Sequence, residues 1–377
     1  MAMALEIKPR PCLSRIAAYI PGKSIASVER EYGLKRVVKL ASNENPLGPS
    51  PKALREFRKS AAKAFLYPEG RSPELREAVA KFHGWSATGV IVGNGSDEVI
   101  RLVCEAFLDP GDGAVFSQYA FLRFKQQALL MGAELREIPM KGWKHDLEAM
   151  AAAAQSGAKV VFVASPNNPT GTYSTDAEIS EFLRAVPPSV VVILDEAYCQ
   201  FAAARGDYPE SLPALARRHP NLIVLRTLSK AYGLAGLRLG YGVGHPELVG
   251  WLDRIRMPFN VNLPAQKAAL AALEDKAFVA KSVALARREG AKLARALNGC
   301  GLEVIGDSAA NFLFVRSPVP GAELFESLLR HGVIVRPLGE YGLPHHLRVS
   351  IGSAAQNKAL VSAVKIVLEK APAALPV

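Results

Sequence analysis

Lys230 lies in the stretch TLSKAYGLAGLR, residues 227 to 238, directly after the apolar run LIVL. Taken alone, a loop lysine is a solvated residue, because its charge is rarely buried without a partner. Its company changes that reading. Each apolar run of the chain is followed by groups able to do chemistry: VIV (90–92) by GNGSDE, AVFS (114–117) by QYAF, KVVFVA (159–164) by SPNNPTG, VVVIL (190–194) by DEAY, and LIVLR (222–226) by TLSK. If these runs are parallel strands, a glycine turn, an aromatic ring, an asparagine loop, a carboxylate and a lysine converge on one rim, where open sheets bind their ligands.

Each group has an ordinary reading and a chemical one. GNGSDE opens a helix, so it is either a capped turn or a set of free backbone N–H groups at Gly95, Ser96 and Asp97 suited to a phosphate. It matches neither a Walker loop nor GxGxxG, which argues against ATP and NAD. Tyr119 can pack in a core or offer a ring face for stacking. Asp195 ends a strand buried on both faces, where a carboxylate requires a cation, either a structural arginine or the protonated nitrogen of a heteroaromatic ligand. Asn168, in a loop stiffened by two prolines, presents an amide, and Tyr198 adds a hydroxyl three residues after Asp195. Lys230 loses its proton more readily when desolvated or close to a second cation; Arg238 is the candidate, with Gly233 and Gly236 allowing the loop to fold. An aldehyde with a ring nitrogen, a phenolic oxygen and a phosphate would use every one of these groups, and pyridoxal 5'-phosphate is that molecule.

Elements of a particular kind must hold these residues. From about residue 51 helical segments such as SPELREAVAKFHG, with Ser72 as candidate N-cap and Pro73 at the first helical position, alternate with β-branched runs, which implies an α/β fold with a mostly parallel sheet flanked by helices. Residues 246–299 read as helical up to Asn298 and Gly299. The strands NFLFVR (311–316), GVIVR (332–336) and HLRVSIG (346–352), with helices near 321–330 and 354–370, then describe a smaller α+β domain. The expected organisation is an N-terminal arm (1–39), a large cofactor-binding domain (40–250) and a small C-terminal domain (251–377) to which the arm contributes. The chain has 377 residues, 49% of them hydrophobic, enough for large cores, and a net charge of +11. That charge is scattered in pairs such as Arg217 and Arg218, which speaks against nucleic acid. Four distant cysteines fit reduced thiols, and neither a signal peptide nor a membrane-length apolar segment is apparent, so a cytoplasmic location is expected. The adjacent His345 and His346 would face opposite ways on a strand, and no metal site is expected.

LASNENPLGPSP (40–51), YPEG (67–70), GNGSDE, SPNNPTGT, LDEAY, TLSKAYGLAGLRLGY, FNVN (259–262) and LRVSIG (347–352), in this order, resemble the fold-type-I pyridoxal-phosphate aminotransferases of class I/II, and within them most nearly the histidinol-phosphate branch. The resemblance implies that Lys230 forms the Schiff base and moves the proton, that Asp195 pairs with the ring nitrogen, and that Asn168 and Tyr198 bind the phenolic oxygen. It implies that Tyr119 stacks on the ring, and that Thr227, Ser229, Arg238 and the Ser96 and Asp97 amides hold the phosphate, with Tyr67 arriving from the second subunit of a homodimer. Arg348 would grip the anionic end of the substrate, with Arg336, Tyr19 and Asn43 or Asn45 nearby. The expected reaction is a ping-pong transamination between L-histidinol phosphate and 2-oxoglutarate in histidine biosynthesis. Met257 before PFNVN, and Cys199 and Gln200 after DEAY, depart from the usual pattern and bear on substrate choice. An aromatic-amino-acid aminotransferase, a decarboxylase of a phosphorylated amino acid and a non-catalytic cofactor-binding regulator are the other readings; the last lacks a helix-turn-helix segment here.

Overall fold

A computed structural model describes residues 7–18 and 22–369. Its centre is a seven-stranded sheet in the order Val90–Gly93, Gly240–Gly244, Leu222–Thr227, Val191–Asp195, Ala158–Ala164, Gly113–Ser117, Glu134–Ile138. Only Gly240–Gly244 runs against the others. The continuous apolar runs divide with a period of two between the faces of this sheet. Val161, Val163, Val192, Leu194 and Val224 enter one core, whereas Val160, Phe162, Ile193, Ile223 and Leu225 enter the other. Such side chains, 0–1% exposed, contribute about 1.5–3 kcal/mol each on burial, which explains why the middles of the central runs are wholly apolar and polar residues such as Lys159, Arg226 and Asp195 fall near their ends. Register then aligns those last positions, with Asp195 opposite Ala164 on one side and Leu225 on the other.

The strand Glu134–Ile138 escapes sequence reading because ELREI is charged and lies at the sheet edge, where only one side is covered. The small domain has a four-stranded antiparallel sheet in the order Arg336–Leu338, Leu343–Ser350, Phe312–Arg316, Glu303–Val304, packed on Gly321–Arg330 and Ala354–Glu369. The expected strand 332–336 is divided. Val333–Ile334 pairs in parallel with Val38–Lys39, and Arg336 begins a separate pairing.

Two expectations need correction. Ser72 precedes the helix Pro73–His83, but its φ of 48° turns the side chain away from capping, and it makes no cap hydrogen bond. A boundary at 250/251 does not follow the packing either. Val249 and Leu252, from Pro246–Ile255, and Ala265, Ala268 and Ala272, from Leu263–Glu274, belong to the two cores of the large sheet. The change of core comes in the helix Lys276–Asn298, whose Leu293 and Leu297 join Leu313, Leu347 and Val349. Leu40 sits in that small-domain core, and Val28 packs beside it with Leu329 and Ile334. All four cysteines are free. Among the described residues no helix is long and apolar enough to cross a membrane.

Candidate active site

A cavity of about 540 Å³ opens between the carboxyl ends of the large-sheet strands and the face of the small sheet. Lys230, Asp195, Tyr198, Asn168, Thr227, Ser229, Arg238, Ser96, Asp97, Asn43, Arg336 and Arg348 all line it.

Asp195, 4% exposed, accepts the Ala197 N–H at 3.0 Å and has no ion pair among the described residues. Burial is the main force on its carboxyl, raising it from 3.8 to about 7 against the Ala197 hydrogen bond, with Asp97 and Glu196 adding to the rise. A carboxyl in this condition waits for a cation. Lys230 donates to the Ser42 carbonyl at 3.0 Å, and its Nζ lies 5.8 Å from the centre of the Tyr198 ring. Burial lowers its amine to about 8; Arg348 is the next cause, opposed by Glu44, and Arg238 is a smaller one. The second cation beside the lysine is therefore chiefly Arg348. The turn needs Gly233, with φ +71° and room for no Cβ, which would come within 2.1 Å of the Gly48 carbonyl oxygen; Gly236 faces open space.

The phosphate cradle is built from backbone. The helix Ser96–Phe107 starts at Gly95, whose φ is 79°, and has no side-chain cap, so its first N–H groups keep their donor capacity and the positive end of the helix dipole. Close approach requires the neighbouring glycines: a Cβ on Gly95 would meet Arg238 Nη2 at 2.6 Å, and one on Gly240 the Ser96 nitrogen at 2.3 Å. Arg238, itself at φ 54°, reaches Asp97 at 3.4 Å. Thr227 Oγ1 accepts the Ser229 N–H at 3.0 Å, which fixes both hydroxyl residues beside the cradle.

On the opposite wall, the Tyr198 hydroxyl accepts from Asn43 Nδ2 at 2.9 Å, and burial raises its pKa against Arg348 and that hydrogen bond. Arg348 donates from Nη1 to Asn168 Oδ1 and from Nη2 to the Ala41 carbonyl, both at 2.6 Å, while its buried Nε has no partner among the described residues. Asn168 thus keeps its amide N–H groups for another acceptor. Arg336 is the Cα partner of Arg348 on the adjacent antiparallel strand and is held by Glu340 at 2.6 Å.

Other expected positions lie elsewhere. Phe121 lines the cavity, and the half-buried Tyr119, two residues earlier, packs its ring on Trp143 at 5.6 Å. Asn45 donates to the Ala231 carbonyl at 3.0 Å and to Ser282 at 2.8 Å, tying the lysine turn to the long helix rather than entering the cavity. Tyr67 is 82% exposed, stacks on Phe259 at 4.7 Å and is absent from the cavity of its own chain. Tyr19 lies outside the described residues. His346 packs against Phe314 at 5.1 Å, and among the described residues no group of side chains could hold a metal. Sequence reading missed Phe121, Arg123, Glu44 and Glu340, all cavity-lining, and no periodicity along the chain marks them.

The donor set fits a pyridoxal phosphate. A buried carboxylate lacks its cation, an uncapped helix start is flanked by glycines that admit close approach, and a lysine of lowered pKa sits between them. Lys230, Asp195, Tyr198, Asn168 and the Ser96–Arg238 cradle would hold it. Known proteins agree in sequence and in structure. The aminotransferase class I and II pattern matches residues 35–364. A histidinol-phosphate aminotransferase of Symbiobacterium thermophilum is 46% identical over 95% of this chain and 98% of its own, and one of Anaeromyxobacter sp. is 47% identical over the same shares. The crystal structure of histidinol-phosphate aminotransferase from Sinorhizobium meliloti in complex with pyridoxal-5'-phosphate superposes with a TM-score of 0.87 at 28% identity, covering 97% of this chain and 98% of that one. A cofactor cradle, a lysine with a partly freed amine and kinship along almost the whole chain lead to one assignment: the chain belongs to the aminotransferase class I and II family, pyridoxal-phosphate enzymes of fold type I.

Proposed function

We propose that this enzyme transfers the amino group of L-histidinol phosphate to 2-oxoglutarate in two half-reactions at one site, the transamination of histidine biosynthesis. The observation that carries this reading is the facing pair Arg336 and Arg348. Two like charges directly opposite on antiparallel strands cost stability; Glu340 offsets that of Arg336, and an anion held between the two arginines would offset that of Arg348. Arg348 Nε, buried and without a partner among the described residues, is the donor such an anion would satisfy. A phosphate ester offers enough oxygens for both guanidinium groups, and the carboxylate of a glutamate or 2-oxo acid occupies the same forks in the other half-reaction.

Bound in the cradle, pyridoxal phosphate supplies an aldehyde that captures the amino group and a protonated ring that takes up the electron pair left when Cα loses its proton. The chain's residues do the rest. Asp195, desolvated and otherwise without an ion pair, keeps a proton on the ring nitrogen by ionising against it. Lys230 is the proton carrier at Cα, its amine lowered to about 8 by burial and by Arg348. Asn168 and Tyr198 orient the phenolic oxygen, and Phe121, which lines the cleft, offers a second ring face close to Tyr119. Arg348 sets the orientation of the substrate.

We also read the enzyme as a cytoplasmic homodimer. Its thiols are free. Phe65, Leu66 and Tyr67, 82%, 51% and 82% exposed, form an apolar surface beside Phe259 and Met257 that a second copy would cover, carrying Tyr67 toward the other cradle. Sedimentation at micromolar concentration should give twice the chain mass. Steady-state rates with histidinol phosphate and phenylalanine test the substrate: we expect histidinol phosphate to be preferred, and a preference for phenylalanine above tenfold overturns the assignment in favour of an aromatic-amino-acid aminotransferase.

A further inference from the structure

We infer that Glu340 is a built-in counter-ion that levels the affinity of the arginine pair for its two kinds of substrate; the inference rests on the function proposed above. Arg336 Nε and Nη2 both donate to the same carboxylate oxygen of Glu340, at 3.2 and 2.6 Å. The two side chains, 15% and 32% exposed, line the cleft with Arg123 and Tyr341. Arg348, directly across the strand pair, has no carboxylate partner among the described residues; Asn168 and the Ala41 carbonyl hold it instead. Of two facing arginines, one is therefore neutralised by the protein and the other is not.

The consequence follows from the charges. One site must accept a phosphate end, carrying close to two negative charges, and a carboxylate end carrying one. Two unpaired arginines would hold the phosphate much more tightly than the carboxylate and delay its exchange in a ping-pong cycle. With Glu340 present, an incoming anion must displace it from Arg336 and then bear its repulsion, which is twofold larger for a dianion. A carboxylate can bind through Arg348 alone and loses less. Glu340 thus lowers phosphate affinity more than carboxylate affinity.

The test compares the wild-type holoenzyme with Glu340→Gln, which keeps the size and an acceptor oxygen but removes the charge. Inorganic phosphate is the probe, followed by thermal shift and by inhibition. The variant should bind phosphate about threefold more tightly or better. KM for histidinol phosphate should fall by more than KM for 2-oxoglutarate, a split that general loosening of the fold would not produce. Unchanged or weaker phosphate binding, or equal changes in both KM values, overturns the inference. A raised KM for histidinol phosphate with phosphate binding unaltered also overturns it and makes Glu340 a direct contact to the imidazole. Phosphate binding does not depend on the amino donor, so wild-type enzyme inactive on histidinol phosphate would remove the functional assignment while leaving the phosphate comparison valid.

Discussion

The two walls of the cleft are built differently. On the large-sheet wall, Asp195, Thr227, Ser96 and Lys230 are fixed by backbone: a strand end, a helix start and a glycine turn that a single Cβ would block. On the small-sheet wall, Arg336 and Arg348 are held by side chains and carbonyls that can be exchanged, namely Glu340, Asn168 and Ala41. The first wall shifts pKa values by desolvation in a rigid frame, which suits a resident cofactor. The second stores charge in replaceable pairs, which suits substrates that come and go. Rigid backbone thus serves the chemistry, and exchangeable partners serve the choice of substrate.

Changes on the first wall should act on kcat and changes on the second on KM. The largest effect is expected for Lys230→Ala, which should reduce kcat by about 10³-fold or more while the melting temperature stays near the wild-type value, since Nζ makes one hydrogen bond. Retained turnover would dissolve the distinction between the walls. Asp195→Asn comes next, with kcat lower by about 10²-fold or more. It also has a signature in the apoprotein. The folded carboxyl, raised from 3.8 to about 7, keeps its proton where the unfolded chain has lost it, so its stabilising contribution is complete below about pH 4 and is lost as the pH rises through about 7. Melting curves of the apoprotein should therefore show wild type losing stability relative to Asp195→Asn across that window, and parallel curves would refute the assigned pKa.

Arg348→Ala should raise KM for both substrates, with kcat/KM falling by about 10²-fold, and Arg348→Lys should restore little of it because one ammonium cannot reproduce the planar fork. A loss confined to kcat would place Arg348 on the chemical wall instead. The smallest effect concerns the two aromatic residues. Phe121→Ala should weaken cofactor binding by about 3- to 10-fold, as expected for one lost ring contact, and by more than Tyr119→Ala does; fluorescence titration of the apoprotein measures both, and the reverse order would return the stacking role to Tyr119.

Legibility differed between the walls for the same reason that their construction did. Asp195, Lys230, Ser96 and Asn168 could be picked out because each ends an apolar run, and a parallel sheet brings such ends together whatever its strand order. The strand Glu134–Ile138 was missed because an edge strand need not be apolar. Tyr119 and Phe121 are two residues apart in a turn, and no periodicity in AVFSQYAF says which ring enters the cleft. Asn43 and Asn45 pose the same problem: Asn43, with φ 56°, bonds Tyr198, whereas Asn45 bonds Ala231 and Ser282.

By itself the amino-acid sequence determined the α/β class, the convergence of a carboxylate, an asparagine loop, a glycine turn and a lysine, and through them the cofactor and the family, because local pattern dictates strands and strand ends carry the chemistry. Tertiary structure alone decided that Arg348 rather than Arg238 is the main cation lowering the Lys230 pKa, that Phe121 lines the site, and that Arg336 faces Arg348 with Glu340 as counter-ion. These are relations between elements far apart in the chain, set by the docking of one sheet on another, and side-chain spacing along a single strand holds no record of that docking.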